Sequence, residues 1–355
     1  MRSPSLTLAL LISLLLHLTS PYKARAEEVS PKLLGGIYAP KAAGARVALI
    51  FTSQSVCSGT LVGKNLVLTA AHCVYNDGDP ANYTVVVGGS SHSVESAWYD
   101  SGFDMNRPIP EVRPYDIGMI VLAEPVTTKA PIPILVGRRP RARQRLFIAG
   151  YGLNERDPAT AKSYKSLFKI GEVRLDGTDG EVLYSSHKAT RSSICAGDSG
   201  GPAIQWYGDY VALVGVASTG TNTERKGRCV LAYGGQSAHV DLQSSNSLHF
   251  LSYFEGVEYA TWGNMTLAKV VDEIRPKLAK GLRARSLSHL RNIATQSLQA
   301  LRRAGRRTTE DRQALIAQAI TALTDVKSAT SLATAKASAK QAQTRIGQIA
   351  KMGIT

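Results

Sequence analysis

Between residues 33 and 263 the apolar positions fall in short runs broken by Gly, Pro, Asn and Asp. Ala48–Phe51, Gly59–Val62, Leu66–Thr69, Thr84–Val87, Ile117–Leu122, Arg145–Ile148, Ala203–Trp206 and Val211–Val216 each read as a strand. The spacing predicts an all-β region long enough to bury a substantial core. The interval 153–190 is weakly patterned and predicts loops with one strand. After Gly263 the period changes. Residues 265–355 are rich in Ala, Leu, Arg, Lys, Gln and Ser, have Pro276 as their one proline, and lack cysteine and aromatic residues. Leu282, Leu287, Leu290, Ile293, Leu298 and Leu301 stay near one helical face, and Leu315, Ile316, Ile320 and Leu323 continue the pattern. Thr309 ahead of Glu310 and Asp311 reads as a helix start. Two or three helices are expected: one ending before Gly305, one from about Thr309 to Lys327, and one near Leu332–Lys351.

The amino-terminal residues follow neither pattern. Arg2 precedes a mostly apolar stretch from Leu6 to Leu18, and Ala24-Arg25-Ala26 then offers the small residues that signal peptidase reads. Residues 1–26 therefore read as a secretory signal peptide cleaved after Ala26. A transmembrane anchor is the competing reading, but the stretch is short for a bilayer and Thr7, Ser13 and His17 interrupt it. The mature protein is expected to be exported, secreted or periplasmic, without a transmembrane anchor. Four cysteines in an exported chain point to disulfides, with three possible pairings, rather than to thiol chemistry or a metal. No cofactor or metal is expected.

The formal net charge of +15 is unevenly distributed. Residues 27–263 hold 22 basic and 22 acidic side chains, whereas residues 264–355 hold 17 basic and 5 acidic, or +12. The basic character belongs to the helical tail.

Two short runs carry the candidate chemistry: Gly197-Asp198-Ser199-Gly200-Gly201-Pro202 and Leu68-Thr69-Ala70-Ala71-His72-Cys73. A serine hydroxyl is a weak nucleophile at neutral pH and needs a base, together with donors for the oxyanion that forms. Glycines around Ser199 suit a tight turn that exposes the hydroxyl and lets successive N–H groups converge. His72 has the side chain whose ordinary pKa suits a base near pH 7. Asp116, opening the apolar run Asp116-Ile117-Gly118-Met119-Ile120-Val121-Leu122, is suited to fix its tautomer. Singly, each of these residues has a bland reading: a core histidine, a strand-edge aspartate, a glycine turn. In the order His72, Asp116, Ser199 they match the chymotrypsin arrangement and not that of subtilisins or α/β-hydrolases.

The region from about Leu33 to about Gly263 accordingly resembles a chymotrypsin/trypsin-like serine peptidase. That resemblance implies two packed antiparallel β-barrels, here followed by the helical extension over 264–355, and hydrolysis of protein or peptide substrates through an acyl-enzyme. It implies Ser199 as nucleophile, His72 as general base and then acid, and Asp116 as its orienting partner. The N–H groups of Gly197 and Ser199 form the implied oxyanion hole, worth about 3 kcal/mol per donor. Of the three disulfide pairings it selects Cys57–Cys73 and Cys195–Cys229. Asp198 occupies the position at which the family binds a new N-terminal ammonium, and Lys32-Leu33-Leu34-Gly35-Gly36 resembles the activation site. The implied short propeptide is 27–32, with Leu33 as the new terminus and a protease cutting after Lys32 as activator. An exposed linker is the bland reading of the same residues.

The resemblance places the specificity pocket at Ser193, Ser218-Thr219-Gly220 and Gly235. A neutral floor at Ser193 with a small wall residue at Gly235 favours apolar or aromatic side chains before the cut over Lys or Arg, although Thr221 to Arg228 and Gly234-Gly235-Gln236-Ser237 depart from the family pattern. For the basic tail, the open readings are a charged spacer, a module for an anionic surface or polymer, and a pro-segment or lid. The competing function is a non-catalytic binding protein on the same scaffold. Retention of His72, Asp116 and Ser199 together argues for the peptidase. Asn82-Tyr83-Thr84 and Asn264-Met265-Thr266 are glycosylation sequons in a eukaryotic secretory pathway.

Overall fold

A computed structural model describes residues 37–38, 45–53, 55–75, 78–152, 168–186, 192–207, 209–220, 223–225, 228–230, 236–306 and 308–354. Strand β1 (Ile37–Tyr38) joins the second of two large sheets. The first sheet comprises β2 (Val47–Phe51), β3 (Val56–Leu61), β4 (Leu66–Thr69), β5 (Thr84–Val87), β6 (Ser90–His92), β7 (Val94–Tyr99) and β8 (Gly118–Leu122). Its antiparallel order is β6-β5-β2-β3-β4-β8-β7. Between β7 and β8 the chain makes a helical turn, α1 (Ile109–Val112), and a 3₁₀ turn over Arg113–Tyr115. Apolar residues run the length of β4 and β8 because both faces are covered, and Leu66, Val67, Leu68, Met119, Ile120 and Leu122 are all buried.

The second sheet contains β9 (Ile134–Val136), β10 (Arg145–Gly150), β11 (Lys169–Arg174), β12 (Gly177–Thr178), β13 (Val182–Ser186), β14 (Pro202–Tyr207) and β15 (Tyr210–Gly220). A separate hairpin, β16 (Thr223–Arg225) and β17 (Arg228–Val230), precedes β18 (Gln236–Asp241) and β19 (Tyr259–Thr261). The order is β1-β11-β10-β14-β15-β18-β13-β12, with β9 parallel beside β15 and β19 parallel beside β9. Together these are two curled antiparallel half-barrel sheets, the chymotrypsin-like fold. One apolar cluster is shared between them: Ile50, Leu68 and Ile120 of the first sheet pack in the same core as Ile204, Leu213 and Val240 of the second.

Several strands exceed what the apolar runs outline. β3 begins at Val56 rather than Gly59, and β15 continues four residues past Val216, to Gly220, through a polar end. Where loops and one strand were expected, the described part of 153–190 carries β11, β12 and β13. Strand β11 does alternate, with Lys169, Gly171 and Val173 inward and Glu172 and Arg174 outward. A lysine and a glycine at inward positions hide that alternation from a reading by hydrophobicity.

A short helix, α2 (Ser245–Leu251), follows β18. Four long helices then succeed one another: α3 (Trp262–Leu282), α4 (Leu287–Gly305), α5 (Glu310–Ser328) and α6 (Leu332–Lys351). Each packs on the next, and α6 returns to pack on α3, closing a bundle around Leu278, Leu290, Leu301, Leu323 and Ile346. The count exceeds the two or three expected because the chain breaks at Arg283–Ser286, where Ser286 Oγ accepts from the His289 N–H and caps α4. Thr261 and Ser331 cap α3 and α6 in the same way, while α5 begins with Glu310 and Asp311 facing its helix dipole. The bundle is seated on the second sheet. Met265 lies in the same apolar cluster as Ile148 and Val214, Trp262 packs on Tyr207 at 4.9 Å, and the Tyr210 hydroxyl donates to Asp272.

Arg312, on the first turn of α5, is buried among the helices. Its guanidinium donates to Thr309 Oγ1 (2.8 Å), Asp311 Oδ2 (3.0 Å) and the Met352 carbonyl (3.1 Å), so it ties the start of α5 to the end of α6. Hydrogen bonds to a charged group are worth about 1.5–3 kcal/mol each. Arg312→Ala is expected to destabilise the helical region by about 2–3 kcal/mol, read as a lower melting temperature by circular dichroism. An unchanged transition would show that these bonds add nothing over water.

Candidate active site

His72 sits on a 3₁₀ turn, Ala71–Cys73, directly after β4. The neighbouring Cys73 is bonded to Cys57 of β3, 16 positions earlier, a closure worth about 3 kcal/mol on loop-entropy grounds. This bond holds the turn behind the imidazole. Cys57, His72 and Cys73 bring three potential ligand atoms within 4.8 Å, but both sulfurs are already bonded to each other. Asp116 follows the 3₁₀ turn before β8 and is buried. His72 Nδ1 lies 2.9 Å and 3.0 Å from its two carboxylate oxygens, and the His72 backbone N–H donates to Oδ1 at 3.0 Å. A further donor is Ser218 Oγ, at 2.5 Å from Oδ2. Ser218 reaches it because the β15–β18 register shifts between Ala217 and Thr219, and a bulge of this kind re-aims a side chain.

These contacts set the charge states. Burial pushes the Asp116 pKa up, but the His72 charge and hydrogen bond, with the Ser218 hydroxyl, bring it below the usual carboxylate value. Burial pushes the His72 pKa down, and the facing Asp116 charge and hydrogen bond outweigh that, leaving it above the ordinary imidazole value.

Ser199 is half-buried on the turn that precedes β14. Gly197 has φ +89°, open to glycine and strained for other residues. At Gly200 a Cβ would lie 2.1 Å from Thr69 Oγ1 and 2.9 Å from Ala70 N, so the glycine lets the turn press against the end of β4 that carries His72. Among the described residues the Ser199 hydroxyl makes no hydrogen bond. A link from nucleophile to base often tightens only with substrate bound. The N–H groups of Asp198, Gly200 and Gly201 donate to the carbonyls of Cys195, Ala217 and Asp198. Those of Gly197 and Ser199 donate to nothing among the described residues.

Asp198 is buried between these two amides. Its carboxylate accepts from the N–H groups of Gly152 (2.8 Å) and Cys195 (3.0 Å). Burial pushes its pKa up to about 6 against the opposing pull of the Lys169 charge and the two amides. Lys169, the buried first residue of β11, pairs in register with Gly150, whose Cα abuts Asp198. Sequence reasoning missed this lysine. The signal available was a cation at one of the inward positions of a strand whose other charges, Glu172 and Arg174, alternate outward.

The expected pocket residues are only partly gathered. Ser193 is buried, with Oγ 2.9 Å from Ser237 Oγ. Ser218, expected at the substrate edge, turns its hydroxyl to Asp116, while Thr219 and Gly220 continue β15 outward. Arg113, not singled out from the sequence, donates from Nε to Thr219 Oγ1 at 2.6 Å and bridges the Asp116 loop to that edge. Cys195 is disulfide-bonded. The side chain of Cys229, its expected partner, lies outside the described residues, as do Gly235 and Leu33.

A serine-bearing turn with two amides uncommitted among the described residues, and a histidine held by a buried carboxylate, offer the kinds of group that acyl transfer requires. Comparison with family models finds the Trypsin model matching residues 35–236, more than half of the chain. The match spans His72, Asp116 and Ser199 and covers both sheets up to the start of β18. The chain belongs to the trypsin family of serine peptidases.

Proposed function

We propose that this chain is an exported serine endopeptidase in which His72, Asp116 and Ser199 act as one unit. The observation that carries the reading is the His72–Asp116 pair beside a turn whose Gly197 and Ser199 amides are uncommitted among the described residues. His72 takes the Ser199 proton as the hydroxyl attacks a peptide carbonyl, and the acyl-enzyme forms. The same imidazole then protonates the departing amine and, in the second half, activates water. Asp116 holds Nδ1–H and stabilises the imidazolium, and the two amides stabilise the tetrahedral oxyanion.

The apolar stretch from Leu6 to Leu18 followed by Ala24-Arg25-Ala26, read as a leader, and the Cys57–Cys73 disulfide support export. The neutral Ser193–Ser237 hydroxyl pair supports apolar or aromatic residues before the cut. Release of Leu33 by a separate protease cutting after Lys32 would supply an ammonium to Asp198. The basic bundle suits an anionic surface or polymer, with Arg302, Arg303 and Arg306 exposed together at the end of α4.

Four measurements test this. Ser199→Ala and His72→Ala are each expected to lower kcat by up to about a million-fold while leaving the fold intact. The wild type is expected to cleave a Phe peptide faster than the matched Lys peptide. Activity of Ser199→Ala within tenfold of wild type would remove the mechanism. The base works only as neutral imidazole, and Asp116 raises its pKa. Activity should therefore fall with decreasing pH through a midpoint above 6.5, and Asp116→Asn should shift that midpoint downward and lower kcat by about 10⁴. A midpoint unmoved in Asp116→Asn would exclude the pairing as its cause. Replacing Arg302, Arg303 and Arg306 together by Glu should lower the salt concentration at which the protein leaves a polyanionic column. Unchanged elution would assign the charge a solvating role.

A further inference from the structure

Ser58 has no part in the chemistry above, yet all of its polar groups point at it. It lies in β3, fully buried, beside the disulfide-bonded Cys57. Its N–H donates to the Ser199 carbonyl at 2.7 Å, and its hydroxyl donates to the Gly197 carbonyl at 2.8 Å. The same hydroxyl accepts from the Tyr151 N–H at 3.0 Å, and the Ser58 carbonyl accepts from Thr69 Oγ1 at 2.9 Å. One residue of the first sheet thus holds the carbonyls of both residues whose N–H groups form the proposed oxyanion hole. Through Thr69 it is tied to the strand that ends ahead of His72.

The hydroxyl bond is the informative one. The Ser199 carbonyl is held by a backbone N–H that any residue at position 58 except proline would provide, whereas the Gly197 carbonyl is held by a side chain. Gly197 lacks a Cβ and sits at positive φ, so its conformation depends on what holds the adjoining peptide planes. The 197–198 plane is held at one end by the Asp198 N–H on the Cys195 carbonyl and at the other by the Ser58 hydroxyl on the Gly197 carbonyl. A donor stabilises an oxyanion strongly only if it is already aimed before charge develops. We propose that Ser58 is a positioning residue whose hydroxyl, together with the Asp198 N–H, pins the 197–198 peptide plane and so limits how far the Gly197 N–H, in the adjoining plane, can turn from the substrate oxyanion. The inference rests on the serine-peptidase reading above.

The test compares wild type and Ser58→Ala in three assays: steady-state cleavage of a short peptide, affinity for a peptide boronic acid that forms a tetrahedral adduct on a serine hydroxyl, and labelling of Ser199 by a phosphonate. In Ser58→Ala, kcat is expected to fall about 10- to 100-fold, less than when a hole donor itself is removed. KM should stay within about twofold, and boronate affinity should fall by the same factor as kcat. Ser58→Cys, which keeps a weak donor, should recover part of both losses. A merely structural role would lower the melting temperature without moving kcat and boronate affinity together. Wild-type kcat and boronate affinity in folded Ser58→Ala, or a rise in KM alone, would overturn the proposal. If alanine does not fold at this position, Ser58→Gly is judged on the same values. Wild-type protein cut after Lys32 that still cleaves nothing and takes no phosphonate would overturn the peptidase reading and this one together. Labelled, active wild type with an unaffected Ser58→Ala would overturn this one alone.

Discussion

A carboxylate buried next to Ser199, at Asp198, constrains everything around it. Asp198 cannot be hydrated where it lies, and an unpaired buried charge costs several kcal/mol. The end of β10, the start of β11 and the Cys195 loop must all be in place to supply the Gly152 amide, the Lys169 charge and the Cys195 amide. Since Gly197 and Ser199 flank Asp198, any solution that satisfies the carboxylate also fixes the two residues on either side. Solvation of one side chain thus becomes geometry for its neighbours.

The first sheet meets the same demand differently. Asp116 is surrounded by donors from His72, on the turn that follows β4 of the first sheet, and from Ser218, in β15 of the second. Ser58 and Arg113 cross the same gap, to Gly197 and Thr219. The site is therefore a seam, and the apolar cluster running continuously beneath it keeps the two sheets from sliding.

How much of this the sequence reveals depends on how local each relationship is. His72, Asp116 and Ser199 stand in short runs whose residue types announce their chemistry. Strands such as β2, β4 and β5 are plain because their cores are apolar. Residues Ser218 to Gly220 are polar, so the extension of β15 is hidden, although it carries one of the Asp116 donors. Lys169 keeps its strand's inward–outward alternation but hides it from a hydrophobic pattern, because it answers a charge and not a core. Ser58 is invisible for a different reason: its bond to Gly197 spans 139 positions, and nothing in its own neighbourhood requires a hydroxyl. The helical count was short by the Arg283–Ser286 break, whose marker is a single capping serine.

The junction between barrel and bundle has a practical consequence. Asn264 begins a sequon, yet it is buried and its Oδ1 receives the Thr309 N–H and hydroxyl, both at 3.4 Å, where α5 starts. An oligosaccharide transferred to this residue during translocation in yeast or animal cells would occupy the space that Thr309 needs, and the bundle could not close over it. Recombinant material from such hosts would divide into a closed, unmodified fraction and a glycosylated fraction with α5 undocked. Bacterial expression, or an Asn264→Gln gene, avoids that heterogeneity.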